Sequence, residues 1–543
     1  MNDSRKRLDN IFSEFINLVD NSDSEDQVVY SPLLELLNDA LNKDNLYLKK
    51  LAIVDYKRLR DLIVNLEDDL TVFVADNGYG KTTILDAIAI SLSWLRSNIQ
   101  KKDKPGTYIR EVDINNSKDA LYASIAATFK VQELNANVLV TNVKDGVSFK
   151  RSNDLQEIKS LATMYRYVNT FLENSSLPVM AYYSIVRSVV GGGVDNKRKN
   201  NKNKLSWSKF DVYDDFMFDR NDFGEFLNWL IFLSNKSAHE NAAALDNPES
   251  LIKEIESIDN TIKQLSVVSN IDADIISQLK NSRDEKQFLL NKINSASRFS
   301  ASNLYRNVIN TILKFLPEFD DINLVYSESD VKLVLTKKGI ELDAQQLSQG
   351  EKTILTLVGD LSRRLSLLNP SLQNPFEGKG IVLIDEIDLH LHPAWQQRIV
   401  ERLLTTFPNI QFILSTHSPQ VLSTVPSRSI RILEEVEDEL GMISIKAFKP
   451  SYQTKGLTNS DALLYGMRID PMPPVVEVKW LDEYKQAIEL DQFDSASSLK
   501  LRQKIISHFG EEHPVVMELN QMISLMEFKR KIKKNKTDEG GRK

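Results

Sequence analysis

Residues 70–86, LTVFVADNGYGKTTILD, run an apolar strand pattern through a glycine-containing turn into an apolar-periodic helix pattern, an order that few folds accommodate. Such a junction builds a cradle for polyanionic oxygens. Gly78 and Gly80 let the backbone approach closely, and the unpaired amides at the helix start, with the helix dipole behind them, favour negative charge. Asn77, Gly78, Gly80, Lys81, Thr82 and Thr83 are therefore the predicted nucleotide-binding residues. Lys81 would reach the β- and γ-phosphates of ATP and Thr82 would hold Mg²⁺. The pattern G-x-x-x-x-G-K-[ST] has one departure, Ala75 in place of its first glycine.

A strand feeding such a loop predicts an α/β head, and 543 residues leave room for about two to four domain-sized units. The pattern divides as follows along the chain. Residues 1–47 read as an N-terminal helical arm, either for a partner or as a cap on the head, and 48–190 as the first part of the head. Residues 191–319 read as an insert, 320–450 as the second part of the head, and 451–543 as a helical partner-binding region. Within the head, strands are expected over 121–131, 137–143 and 178–186, with a polar loop from 97 to 106. Within the insert, GGG at 191–193 precedes the basic run DNKRKNNKNK. Further on, Phe223, Phe226, Trp229 and Leu233 share a helical face, and residues 248–299 predict a short antiparallel helical hairpin.

The second half of the head repeats the theme of polar groups placed at strand ends. Residues 381–384 form an apolar run ending in Asp385-Glu386, and 411–414 form another that leads into Ser415-Thr416-His417-Ser418-Pro419. Asp385 at a strand end suits a Mg²⁺ shell, and Glu386 beside it suits orienting and deprotonating an attacking water. His417 at a neighbouring strand end suits a hydrogen bond to a γ-phosphate oxygen. Ser348, Gly350 and Glu351, in LSQGEK, open a helix and so make an anion site. That site predicts a nucleotide shared across a dimer or higher oligomer.

Together AxNGxGKTT, LSQGEK, IVLIDEID and STHSP resemble the ATP-binding head of the ABC superfamily, in its soluble branch with recombination and chromosome-maintenance ATPases. The resemblance covers about residues 48–130 and 320–435. It implies an α/β, ABC-type (P-loop) ATPase head split by a mostly helical insert, with a helical C-terminal region. It assigns Asp388 to the D-loop and Ser348 to Glu351 to the signature loop. The acidic motif EIDLHLHP is similar to that of the overcoming-lysogenisation-defect and Septu defence ATPases. QTKG at 453–456, Asn459 and RIDP at 468–471 resemble the Septu ATPases, particularly their retron-associated form.

That likeness implies an ATPase subunit of an antiviral defence complex. Its implied partners are a separately encoded HNH nuclease and, in the retron form, a reverse transcriptase with its multicopy single-stranded DNA. The alternative is a DNA-repair ATPase of the RecF or zinc-hook kind, although the chain has no Cys for a zinc hook. After Phe448 no D-x-D motif falls on a strand pattern, so a Toprim nuclease within this chain is not expected. His390 and His392 read either as a metal pair or, with so few histidines, as structural parts of the D-loop.

The overall charge is −8, so nucleic-acid contact would have to rely on local basic runs, at 197–204 and 529–536. No apolar run is long enough for a membrane span, and the expected location is the cytoplasm.

Overall fold

A computed structural model of the chain describes residues 32–172, 175–184, 207–214, 223–243, 248–265, 301–327, 331–437 and 441–540, with scattered positions between them. Most of the expected N-terminal helical arm before Pro32, the GGG and basic run of 191–204, and the side chains of Lys533 to Lys536 lie outside the described residues. The chain forms two compact units, Met1–Ala462 and Leu463–Lys543.

The first unit opens with helix α1 (Pro32–Lys43), which buries Leu34, Leu37 and Leu41 on one face. Strands β1 (Leu46–Tyr56), β2 (Leu59–Asn65) and β3 (Leu70–Val74) lead to helix α2 (Lys81–Gln100). Strands β4 (Tyr122–Val131) and β5 (Leu134–Val143), helix α3 (Gln156–Phe171) and strand β6 (Val179–Tyr183) complete the first half. The polar stretch from Ser97, expected as loop, continues α2 to Gln100. Ser97 and Asn98 are polar yet buried, and the Asn98 amide donates to the carbonyls of Trp94 and Lys104, so its polarity is met inside the fold.

Helices α4 (Lys209–Asp214), α5 (Phe223–Ala243), α6 (Pro248–Leu265) and α7 (Ala301–Phe315) follow. Phe226, Trp229 and Leu233 are buried on α5 as their spacing predicts. The return leg of the expected hairpin is described only at scattered positions. There Arg283 pairs with Asp259 at 3.1 Å and Lys286 with Glu254 at 2.6 Å, an antiparallel order against α6.

The second half holds β7 (Asp321–Tyr326), β8 (Val331–Lys337), β9 (Ile340–Asp343), α8 (Gln349–Leu368), β10 (Gly380–Ile384), α9 (Ile399–Thr406), β11 (Ile410–Thr416), β12 (Ile430–Glu437) and β13 (Ile443–Phe448).

Three sheets result: antiparallel β2-β1-β4-β5, antiparallel β7-β8-β9, and a central six-stranded sheet in the order β13-β12-β3-β11-β10-β6. In the central sheet all neighbours pair in parallel except β12 with β13. Every residue of β3, β10 and β11 is buried, which is why these strands read as continuous apolar runs rather than alternating ones. This is an α/β, ABC-type P-loop head.

Because the strands are parallel and in register, their C-terminal ends lie together. Ile384 is paired with Leu414, and Thr416 with Val74. The phosphate loop, Asp385-Glu386 and His417 thus emerge at one sheet edge, where open α/β sheets bind ligands. Gly78 and Gly80 take left-handed φ of 84° and 88°, while Ala75 stays outside that region. The first position of the loop therefore needs no glycine here, and the departure from the pattern has no steric cost.

The second unit packs α10 (Val476–Glu489), α11 (Ala496–Phe509) and α12 (Pro514–Gly540) around Leu481, Tyr484, Ile488, Phe493, Ile505, Val516 and Leu519. Arg530, counted in the basic run, is committed internally. It pairs with Asp491 at 2.7 Å and Asp494 at 2.6 Å and covers the Phe493 ring. No helix among the described residues is long and apolar enough to cross a membrane.

Replacing Ala75 with glycine is expected to leave ATP affinity within about twofold and to lower stability by roughly 0.5 kcal/mol, because glycine mainly frees the unfolded chain. Titration of ATP and thermal melts on Ala75→Gly check this. A large gain in affinity would show that the loop is strained at Ala75.

Candidate nucleotide site

The loop from β3 to α2 ends on Gly80 as helix N-cap, with no side chain capping the first turn. The leading amides of α2 are left for an anion. Lys81 is buried at the loop's centre, where its Nζ donates to the carbonyls of Ala75 at 2.9 Å and Asp76 at 3.1 Å. Burial pushes the Lys81 ammonium below its usual pKa, while Glu386, Asp385, Asp388 and Asp76 pull it back. Asn77 is exposed on the loop and Thr83 is half-buried in the first turn of α2.

The Thr82 hydroxyl donates to Asp385 Oδ2 at 2.7 Å, across the end of the sheet. The other oxygen of the fully buried Asp385 accepts from Ser415 Oγ, and the same hydroxyl accepts the Glu386 amide at 2.8 Å. Ser415 thus aligns both acidic residues, a role that its place in STHSP did not reveal. A hydroxyl on the penultimate residue of a fully buried strand was the available signal.

Glu386 adopts a left-handed φ of 45°, a conformation that a non-glycine residue keeps only when its surroundings enforce it. Its carboxylate stands 3.9 Å from His417 Nε2. Burial lowers the His417 pKa and the nearby Lys81 charge lowers it further, against the pull of Asp388, Asp76 and Asp385. The imidazole is therefore neutral at neutral pH, with one ring nitrogen donating and one accepting. Asp388 accepts from Thr416 Oγ1 and, at 3.4 Å, from the His417 amide, so it braces the end of β11 within its own chain.

Ser348, Gly350 and Glu351 sit apart from this group, at the start of α8. Ser348 caps the helix reciprocally with Glu351: its amide and Oγ donate to Glu351 Oε2 at 2.9 and 2.7 Å, and its Oγ accepts the Glu351 amide at 3.4 Å. Lys337 holds the other carboxylate oxygen at 2.8 Å. Gly350 lies against the His390 carbonyl, where a Cβ would come within 2.7 Å, so only glycine fits this approach. His392 caps the short helix Pro393–Gln396, its Nδ1 accepting the Ala394 amide at 3.3 Å. Among the described residues, neither Ser348 nor Glu351 bonds to the phosphate loop.

Comparison with known proteins agrees with this architecture. A family model described as "AAA domain, putative AbiEii toxin, Type IV TA system" matches residues 187–423, and one described as "AAA domain" matches 50–298. The retron Ec83 probable ATPase of Escherichia coli is 30% identical over 491 residues, 89% of this chain and 88% of that one. The retron Vc95 probable ATPase of Vibrio cholerae serotype O1 biovar El Tor is 32% identical over 434 residues, 78% of this chain and 79% of that one. The Septu protein PtuA of Bacillus mycoides (strain KBAB4) is 37% identical over 135 residues, 25% of this chain and 18% of that one. With Lys81, Thr82, Asp385, Glu386 and His417 gathered at the sheet edge, and the two retron ATPases aligned over 88% and 79% of their own lengths, this chain belongs to the family of retron-associated defence ATPases.

Proposed function

We propose that this chain is the ATP-hydrolysing sensor and scaffold of an anti-phage complex, in which nucleotide occupancy controls a separately encoded HNH nuclease. A reverse transcriptase and its multicopy single-stranded DNA complete the complex, in the cytoplasm. The convergence of Lys81, Thr82, Asp385, Glu386 and His417 on one sheet edge carries the catalytic part of this reading. The likeness to retron ATPases and to PtuA supports the remainder.

Lys81 exchanges its two backbone carbonyls for the β- and γ-phosphates of ATP. Thr82 and Asp385 are the residues that would hold Mg²⁺, which when bound would supply charge neutralisation to the phosphates. Glu386, fixed by its strained backbone, orients the attacking water and accepts its proton. Neutral His417 donates a hydrogen bond towards the γ-phosphate. Ser348 and the leading amides of α8 serve the nucleotide of a second copy, so two chains share each site.

Docking of the nuclease is assigned to the unit Leu463–Lys543. Leu499, Met517, Leu525 and Phe528 are each more than half exposed there, and apolar helical surface of this kind needs cover.

Glu386→Gln is expected to bind ATP normally and to hydrolyse it roughly 10²-fold more slowly, as removal of a positioned base requires. Steady-state turnover beside nucleotide titration reads this, and unchanged turnover would refute the assignment. Deleting residues 463–543 should preserve ATP binding by the head and abolish co-purification with the nuclease encoded alongside. Undiminished co-purification would move the interface to the insert.

A further inference from the structure

The start of α8 carries an electrostatic conflict. Its dipole places about half a positive charge at the helix N-terminus, which would welcome a phosphate beside Ser348. The Glu351 carboxylate in the same turn carries a full negative charge and is only partly exposed. Left alone, it would repel a γ-phosphate from the site.

The charge that resolves the conflict comes from the neighbouring hairpin. Lys337 is the last residue of β8, and Lys338 and Gly339 form the two-residue turn to β9 with φ of 52° and 78°. Positive φ at both positions is what a tight type I′ hairpin requires, and it fixes where Lys337 stands. Its ammonium lies 2.8 Å from Glu351 Oε1 and 4.9 Å from the Phe319 ring centroid. Burial pushes the Glu351 carboxyl up, but Lys337 and the Ser348 hydroxyl and amide outweigh it and hold the group below its usual pKa. Lys352 is the other cation in the motif, and among the described residues no ion pair joins it to Glu351. Adjacent helix positions do not face each other.

We infer that Lys337 is a positioning residue for the shared ATP site: by neutralising Glu351 it lets Ser348 and the amides of α8 receive the γ-phosphate bound to a second copy of the chain. This rests on the composite-site reading above. When the Ser348 hydroxyl proton turns to the phosphate, its bond to Glu351 Oε2 is given up, while the Ser348 amide and Lys337 still hold the carboxylate.

The test is a double-mutant cycle in the full-length protein, reading ATP-dependent self-association and the KM and kcat of hydrolysis. Lys337→Met should raise the ATP concentration needed for association, and KM, by roughly tenfold, as an unbalanced like charge at an interface does. Lys337→Arg should restore both. Glu351→Gln keeps the capping geometry, since glutamine caps as glutamate does, and in that background Lys337→Met should cost less than about twofold. If Lys337→Met does not fold, Lys337→Gln takes its place in the cycle. Equal losses in the two backgrounds would show a merely structural role and overturn the inference, as would no loss in either. Ser348→Ala separates the two levels. If association needs Ser348 but ignores Lys337, this inference alone falls; if it ignores Ser348 as well, the composite site falls with it.

Discussion

The hydrogen-bonded register of three parallel strands, β3, β11 and β10, is the constraint on which the site depends. It brings together groups that are 303 residues apart in sequence, Thr82 and Asp385, and holds them at 2.7 Å. Full burial of all three strands removes water from the ladder, so a one-residue slip would strand polar groups and misalign every strand end. The long stretch of chain between β6 and β10 does not interrupt the sheet, since the two strands pair from Val179 with Gly380 to Tyr183 with Ile384.

A second rigid element carries the other half of the proposed site. Helix α8 begins at the Ser348 cap and is anchored along its length by buried polar groups. Asp360 accepts from Arg363, Arg364 and Tyr183, and Arg364 also donates to the Val212 carbonyl at the root of the insert. Burial would raise the Asp360 pKa, yet the two guanidinium groups hold it far below the usual carboxylate range. Gly359 lies against the Phe226 ring, where a Cβ would come within 2.8 Å. Glu225 stands 3.7 Å from Arg363, so two carboxylates face the two guanidinium groups, and α8, α4 and edge strand β6 are tied into one polar cluster.

Much of this was legible in the sequence because burial on both faces produces runs such as IVLI and FILS, and the chemistry sits where those runs stop. The order of the motifs, the strand ends at Asp385 and His417 and the helix starts at Lys81 and Ser348 all follow from local patterning. What was not legible is set by long-range contacts. Strand β9 is short, with Ile340 and Glu341 exposed, so it has no buried stripe to betray it. Asn98 looks like loop until its two carbonyl partners are seen. Arg530 looks like part of a free basic tail until Asp491 and Asp494 are seen beside it. The Lys337–Glu351 pair depends on a hairpin turn and a helix cap meeting in space, which neither segment announces alone.

The central claim is that one ATP engages the phosphate loop of one chain and the start of α8 in another. Amide hydrogen exchange in the full-length Glu386→Gln protein, with ATP and Mg²⁺ compared with ADP and Mg²⁺, addresses it most directly. Both nucleotides should protect residues 77–83, and only ATP should also protect residues 348–352. Protection confined to 77–83 with either nucleotide would contradict a shared site.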